Sequence, residues 1–278
     1  MQSAKGVELV GVALHGGHPS RVVLSRAEGP IVLARRGAQA SLDELRPTRT
    51  DRGVTVTSAD GRVAIDLVEH LLAALGGLGV REGVRVAVDD GEPPLLDGGA
   101  RRFADALVAI DAPRGGSPRL RITREATLSG GGASTYRFTP GASTRLSVAV
   151  RFRAPIGDEA ASWDGDPQDF LERIAPARTF GWIDEHAALL AAGRARGVDL
   201  ESVIVLSDEG AVAGCRPNEP GEIARHKLLD LIGDLTLHGG PPRGTVEAFA
   251  PGHGATHRVM AEAISSGIVE RIEAEERA

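Results

Sequence analysis

Two stretches of this chain can be laid over each other: EHLLAALGGLGV (69–80) and RHKLLDLIGDLTL (225–237), with His70 opposite His226. Each leads into the same sequel, a β-type run and then a second amphipathic helix. In the first half these are VRVAVDD (84–90) and ARRFADALVAI (100–110); in the second, GTVEAFAP (244–251) and GATHRVMAEAI (254–264). A period that occurs only twice predicts two similar α+β halves rather than a solenoid, with the matching helices meeting across a pseudo-twofold interface. Chance similarity between amphipathic helices is the competing explanation.

The remaining pattern fits the same scheme. Strand-type alternation runs through VELVGVAL (7–14), RVVLS (21–25) and IVLARR (31–36), and helical spacing through DLVEHLLAALGGLG (66–79). DAPRGGSP (111–118) reads as a linker, which divides the chain into 1–112 and 118–278. Beyond it, LRITREATL (120–128) and YRFTP (136–140) flank a Gly-rich hairpin, and LSVAVRF (146–152) follows. Helices are expected near 168–174 and 184–195, a strand at SVIVLS (202–207) and the strongest helix at 224–237. The fold class is therefore α+β, each half a small β-sheet packed with helices.

Charge and cysteine content narrow the function. Lys+Arg number 32 against Asp+Glu 38, a formal charge of −6, so no global field attracts nucleic acid or anionic lipid. Cys215 is the only cysteine, which rules out an intramolecular disulfide and any multi-thiolate metal site and fits a reducing cytosol. With no secretory h-region and no bilayer-length apolar run, the chain is expected to be cytoplasmic and monomeric, without stable membrane insertion.

Chemistry concentrates on the 224–237 helix. Taking His226 as origin, Lys227 falls at about 100°, Asp230 at about 40° and Asp234 at about 80°. Leu228, Leu229, Ile232 and Leu235 occupy the other side. The arc could be a solvated face with an ordinary i,i+4 pair. It could equally supply two ligands, His226 and Asp230, of a hydrolytic metal site that needs three. His70 is the natural third, and the preceding Glu69 is placed to act on water without ligating the metal. A satisfied core histidine is the alternative for His70.

His253, in the turn PGHGATH, is a candidate acid whose pKa a nearby Asp234 would raise. A His253/His257 metal pair and a simple turn cap are the other readings. Phosphate-loop, nucleophile-elbow and dinucleotide signatures are missing from the sequence. Cys215 is expected to be an incidental thiol, and His15, His18, His186 and His238 to be structural or exposed.

VEHLLAALGGLGV, PPLLDGGA, ARTFGW, RHKLLDLIGDL and the Gly252-His253 pair occur here in one order, with GVALHGG before them. Together they resemble the UDP-3-O-acyl-N-acetylglucosamine deacetylase family, zinc amidases of lipid A biosynthesis, over nearly the whole chain. The resemblance implies an active site between the two halves, with zinc held by His70, His226 and Asp230. It also implies Glu69 as general base, His253 as acid supported by Asp234, and Thr179 as an oxyanion donor. Phe180 would line the same pocket, Lys227 would face the substrate phosphates and Phe152 would stack on uracil.

Departures cluster at substrate contacts. Arg153-Ala154-Pro155 stands where the family usually has Asn-His-Pro, VTVTSAD (54–60) replaces a Cys/Thr-rich segment, and GATH replaces the Asn residues after the acid His. The expectation is a zinc-dependent deacetylase releasing acetate from an acylated UDP-sugar, with Fe(II) suited to the same ligands. Its rivals are a diverged deacetylase for another amide and a catalytically idle nucleotide-sugar-binding protein.

Overall fold

In the computed structural model, which describes residues 6–272 apart from 213, 214, 216 and 218, the two halves repeat strand for strand. The first comprises β1 (Val7–Val12), β2 (Pro19–Pro30), β3 (Val32–Arg35), β4 (Ala38–Ser41), β5 (Arg46–Arg49), β6 (Thr55–Thr57), β7 (Ala64–Ile65), α1 (Glu69–Gly77), β8 (Glu82–Val88) and α2 (Arg101–Ala109). Its main sheet has the order β1-β2-β8-β3-β4, with β8 antiparallel to β2 and parallel to β3.

The second half begins with β9 (Leu120–Ile122), β10 (Ala126–Gly131), β11 (Ser134–Thr139), β12 (Thr144–Arg151), β13 (Asp158–Trp163) and α3 (Pro167–Asp169). It continues with β14 (Thr179–Trp182), α4 (Ile183–Ala191), β15 (Val203–Ser207), β16 (Gly210–Ala211), α5 (Glu222–Thr236), β17 (Gly244–Phe249), α6 (His253–Ser265) and β18 (Val269–Arg271). The sheet order β10-β11-β17-β12-β13 reproduces the first, with β17 antiparallel to β11 and parallel to β12. Each half also carries an insert between its fourth sheet strand and its long helix. In the first it is the β5-β6-β7 sheet; in the second it is α3 and the β14-β15-β16 sheet with α4.

Alternation drives the strands: along β12, Leu146, Val148 and Val150 are buried while Arg145 and Arg151 face water. All nine residues of α1 are buried, as a helix apolar on most sides must be. Its partner is α5, so the two matching helices do meet, and Leu71, Leu72 and Leu75 share one core with Leu228, Leu229 and Ile232. Glycine sets how closely they approach. A Cβ on Gly233 would lie 2.2 Å from the Glu69 carbonyl oxygen. Gly233→Ala should therefore force α1 off α5, costing about 1–3 kcal/mol by overpacking and dragging Glu69 and His70 with it. Thermal unfolding checks the first effect, and metal content the second.

Several boundaries differ from expectation. The first long helix starts at Glu69 rather than 66, because Leu67 takes φ 49°, outside right-handed helix space. The 168–174 helix is one short α segment continuing as a π-helical turn, Phe170–Ile174. The run 120–128 is two strands: β9 pairs with β18, and β10 with β11. Among the described residues no helix is long and apolar enough to cross a membrane.

Candidate functional site

The polar arc of α5 is not solvated: His226, Asp230 and Asp234 are only 3%, 6% and 1% exposed. The helix crossing with α1 covers it and brings His70, in the first turn of α1, against His226 with ring centroids 5.0 Å apart. His226 Nε2 and His70 Nε2 lie 3.5 and 3.9 Å from Asp230 Oδ1. One ligand atom from each of the three residues falls within 4.8 Å of the others, the single such group among the described residues.

The protonation states suit ligation. His226 Nδ1–H donates to the Ala177 carbonyl at 3.0 Å, which leaves Nε2 as a lone pair facing the cluster. Burial, then the neighbouring His226, push His70 down to about 3, and burial also lowers His226, so both imidazoles are neutral at ordinary pH. Burial pulls Asp230 upward, but Lys227, His226, His253 and His70 together outweigh it and hold the carboxyl well below its usual range.

Glu69 sits beside this group. Its Oε2 accepts the Val54 N–H at 2.9 Å, and its Oε1 is 4.0 Å from His253 Nε2. The loop that delivers Val54 requires Gly53, whose φ is 134° and whose Cβ would come within 2.9 Å of Glu69 Oε1. Burial dominates Glu69 and pushes it up to about 7, against the pull of His253. His253 opens α6, and its Nδ1–H lies 2.9 and 3.0 Å from the two Asp234 oxygens. Burial works against its charge, yet Asp234, Asp230 and Glu69 outweigh that and raise it to about 9.

Thr179 heads β14, placed by its neighbour: Arg178 Nε donates to Glu222 Oε1 at 3.0 Å, tying the strand to the first turn of α5. The Phe180 ring is 6.0 Å from that of His226. A cavity of about 660 Å³ brings together Glu69, His70, Thr179, Phe180, His226, Lys227, Asp230 and His253. Its apolar wall comes from Leu14, Leu67, Ile183, Leu189, Leu200 and Val205, so both halves and both inserts contribute.

Two expected residues are not on that wall. Asp234 contacts His253 rather than the cavity, and Phe152 meets Phe180 edge-on at 5.3 Å. Lys227 is on the wall, but its ammonium is paired with Asp230 Oδ2 at 2.6 Å. His253 and His257 both face Asp234, and they belong to no three-residue ligand group among the described residues. Cys215 is buried with its thiol 3.0 Å from the Val212 carbonyl, as an incidental thiol would be.

Three histidines set aside on sequence grounds turn out to have places here. His15 and His186 line the cavity, and His238 bonds to His257. For His238 a signal existed, its i,i+4 spacing from Asp234. His15 lay within the GVALHGG run that carries part of the family resemblance, whereas His186 offered no signal, since it reaches the cavity from an insert.

The family model described as UDP-3-O-acyl N-acetylglycosamine deacetylase (LpxC) matches residues 3–265. The chain is 32% identical over 270 residues to UDP-3-O-acyl-N-acetylglucosamine deacetylase of Myxococcus xanthus (strain DK1622), covering 94% of this chain and 85% of that one. Against the protein of the same name from Brucella melitensis biotype 2 (strain ATCC 23457), identity is 33% over 273 residues, covering 94% and 92%. Against that of Campylobacter fetus subsp. fetus (strain 82-40) it is 28% over 272 residues, covering 94% and 90%. With the match running almost end to end, the chain belongs to the UDP-3-O-acyl N-acetylglycosamine deacetylase family.

Proposed function

We propose that this protein is a zinc-dependent amide hydrolase that removes the N-acetyl group of UDP-3-O-acyl-N-acetylglucosamine, releasing acetate on the route to lipid A. The carrying observation is the convergence of His70, His226 and Asp230 with Glu69 and His253 on one cavity that also has a broad apolar wall. Two neutral imidazoles and one ionised carboxylate fit zinc, and fit Fe(II) as well. When bound, such an ion supplies Lewis-acid chemistry, lowering the pKa of water and polarising an amide carbonyl.

The chain's own groups do the rest. Glu69, held near neutrality by burial, takes the proton of the attacking water. The Thr179 hydroxyl donates to the carbonyl oxygen as charge develops there. His253, kept protonated by Asp234, gives its proton to the departing amine. The apolar wall, with Phe180, takes the acyl chain, and Lys227 and Phe152 serve the diphosphate and the uracil. Residues 1–112 and 118–278 act as two lobes around the substrate, in a cytoplasmic monomer.

This assignment implies a bell-shaped kcat/KM profile, rising as Glu69 deprotonates and falling as His253 does. A bound cation moves both limbs below the metal-free values of about 7 and about 9. Asp234→Asn removes the negative charge that favours the imidazolium, so its falling limb should shift to lower pH. A pH-rate profile of the two proteins measures this.

Two observations favour a diverged deacetylase for a different amide: Phe152 is off the cavity wall, and Lys227 is already paired with Asp230. Acetate release in the presence of free UDP separates the two. On the lipid A reading UDP competes with the acylated UDP-sugar, and Phe152→Ala raises KM. If UDP fails to bind at millimolar concentration while a non-nucleotide N-acetyl sugar is hydrolysed well, the diverged reading replaces it.

A further inference from the structure

Asp234 faces two imidazoles of α6. His253 Nδ1 is within hydrogen-bond distance of both its oxygens, and His257 Nε2 lies 3.5 Å from Oδ1. That nitrogen is buried and has no partner at ordinary hydrogen-bond distance. The other ring nitrogen of His257, Nδ1, is 2.9 Å from His238 Nε2. The pattern is reciprocal: α5 supplies Asp234, the turn that follows it supplies His238 four residues on, and α6 supplies His253 and His257 one turn apart. The site already described uses only Asp234 and His253.

Burial lowers His257 and, with His257 beside it, pushes His238 down to about 4, so both rings are neutral near neutral pH. A single proton then sits between His238 Nε2 and His257 Nδ1. Placed on His257, it would leave Nε2 as a bare lone pair facing a buried carboxylate, two acceptors with no hydrogen between them. Placed on His238, it leaves His257 with Nε2–H beside the Asp234 carboxylate, 3.5 Å from Oδ1, so that a donor rather than a second acceptor meets the charge.

We propose that His257, held in its Nε2–H tautomer by His238, is a positioning residue that braces Asp234 alongside His253. Removing the brace frees the carboxylate to rotate, and His253 loses the fixed acceptor that sets the direction of its ring. The catalytic consequence rests on the reading of His253 as the acid. The tautomer does not.

Long-range proton–nitrogen correlation spectra of the zinc-loaded, 15N-histidine-labelled full chain near neutral pH test the tautomer directly, with His238→Gln and His257→Gln for assignment. The expected result is a neutral His257 with protonated Nε2 and bare Nδ1, and a His238 protonated at Nε2. A His257 protonated at Nδ1, or an imidazolium, overturns the proposal. In steady-state kinetics, His257→Phe should lower kcat about threefold, somewhat under the worth of a full hydrogen bond because the Nε2···Oδ1 contact is 3.5 Å long, with KM and metal content unchanged. His257→Gln, which keeps an N–H donor, should recover most of it. An unchanged kcat in His257→Phe refutes the positioning role. Spectra of the expected form with no acetate release by the parent protein would instead fault the deacetylase reading.

Discussion

His226→Ala should lose stoichiometric metal and, with it, essentially all turnover. The substitution deletes one of only three donors whose atoms lie within 4.8 Å of each other, and no other His, Cys, Asp or Glu among the described residues completes a replacement set. It also removes a neighbour that helps keep Asp230 ionised and leaves the Ala177 carbonyl without its imidazole donor. The fold should survive, since Leu228, Leu229 and Ile232, which pack against α1, are untouched. Metal analysis after dialysis, alongside circular dichroism, checks both halves of this expectation. Tight stoichiometric zinc in folded His226→Ala would remove His226 from the ligand set.

Glu69→Gln should do the opposite: keep the metal and lose turnover, by about 10²–10⁴-fold for a proton-transfer group. The amide oxygen of Gln can still accept the Val54 N–H that positions Glu69, so the loop and the helix start stay in place. An amide, however, takes no proton at neutral pH. Near-normal acetate release by metal-loaded Glu69→Gln would show that another group is the base.

The two-half architecture was legible because the α1 and α5 segments repeat in residue type, not only in periodicity. The matching of β1–β4 with β10–β13 was not legible, because those strands share alternation and little else. DEAASW in β13, for example, offers almost no apolar contrast. The candidate ligands His226 and Asp230 could be read from i,i+4 spacing on one helix, but spacing cannot distinguish a solvated arc from a buried one. That choice is made by the crossing with α1 at Gly233, a contact between residues far apart in the chain. The apolar wall was invisible for a related reason: Leu14, Leu67, Leu189 and Val205 come from four separate segments, none unusual alone. Likewise, nothing in the sequence placed Phe152 behind Phe180 or paired Lys227 with Asp230.

The most direct measurement is a metal titration read by chemistry: strip the protein with a chelator, add zinc stepwise, and follow acetate released from UDP-3-O-acyl-N-acetylglucosamine. Activity should be absent in the stripped protein, rise with added zinc and level off at one ion per chain, with Glu69→Gln remaining inactive throughout. Full acetate release by the stripped protein, or none at any zinc level from a folded, metal-loaded chain, would contradict a metal-dependent deacetylase built on His70, His226 and Asp230.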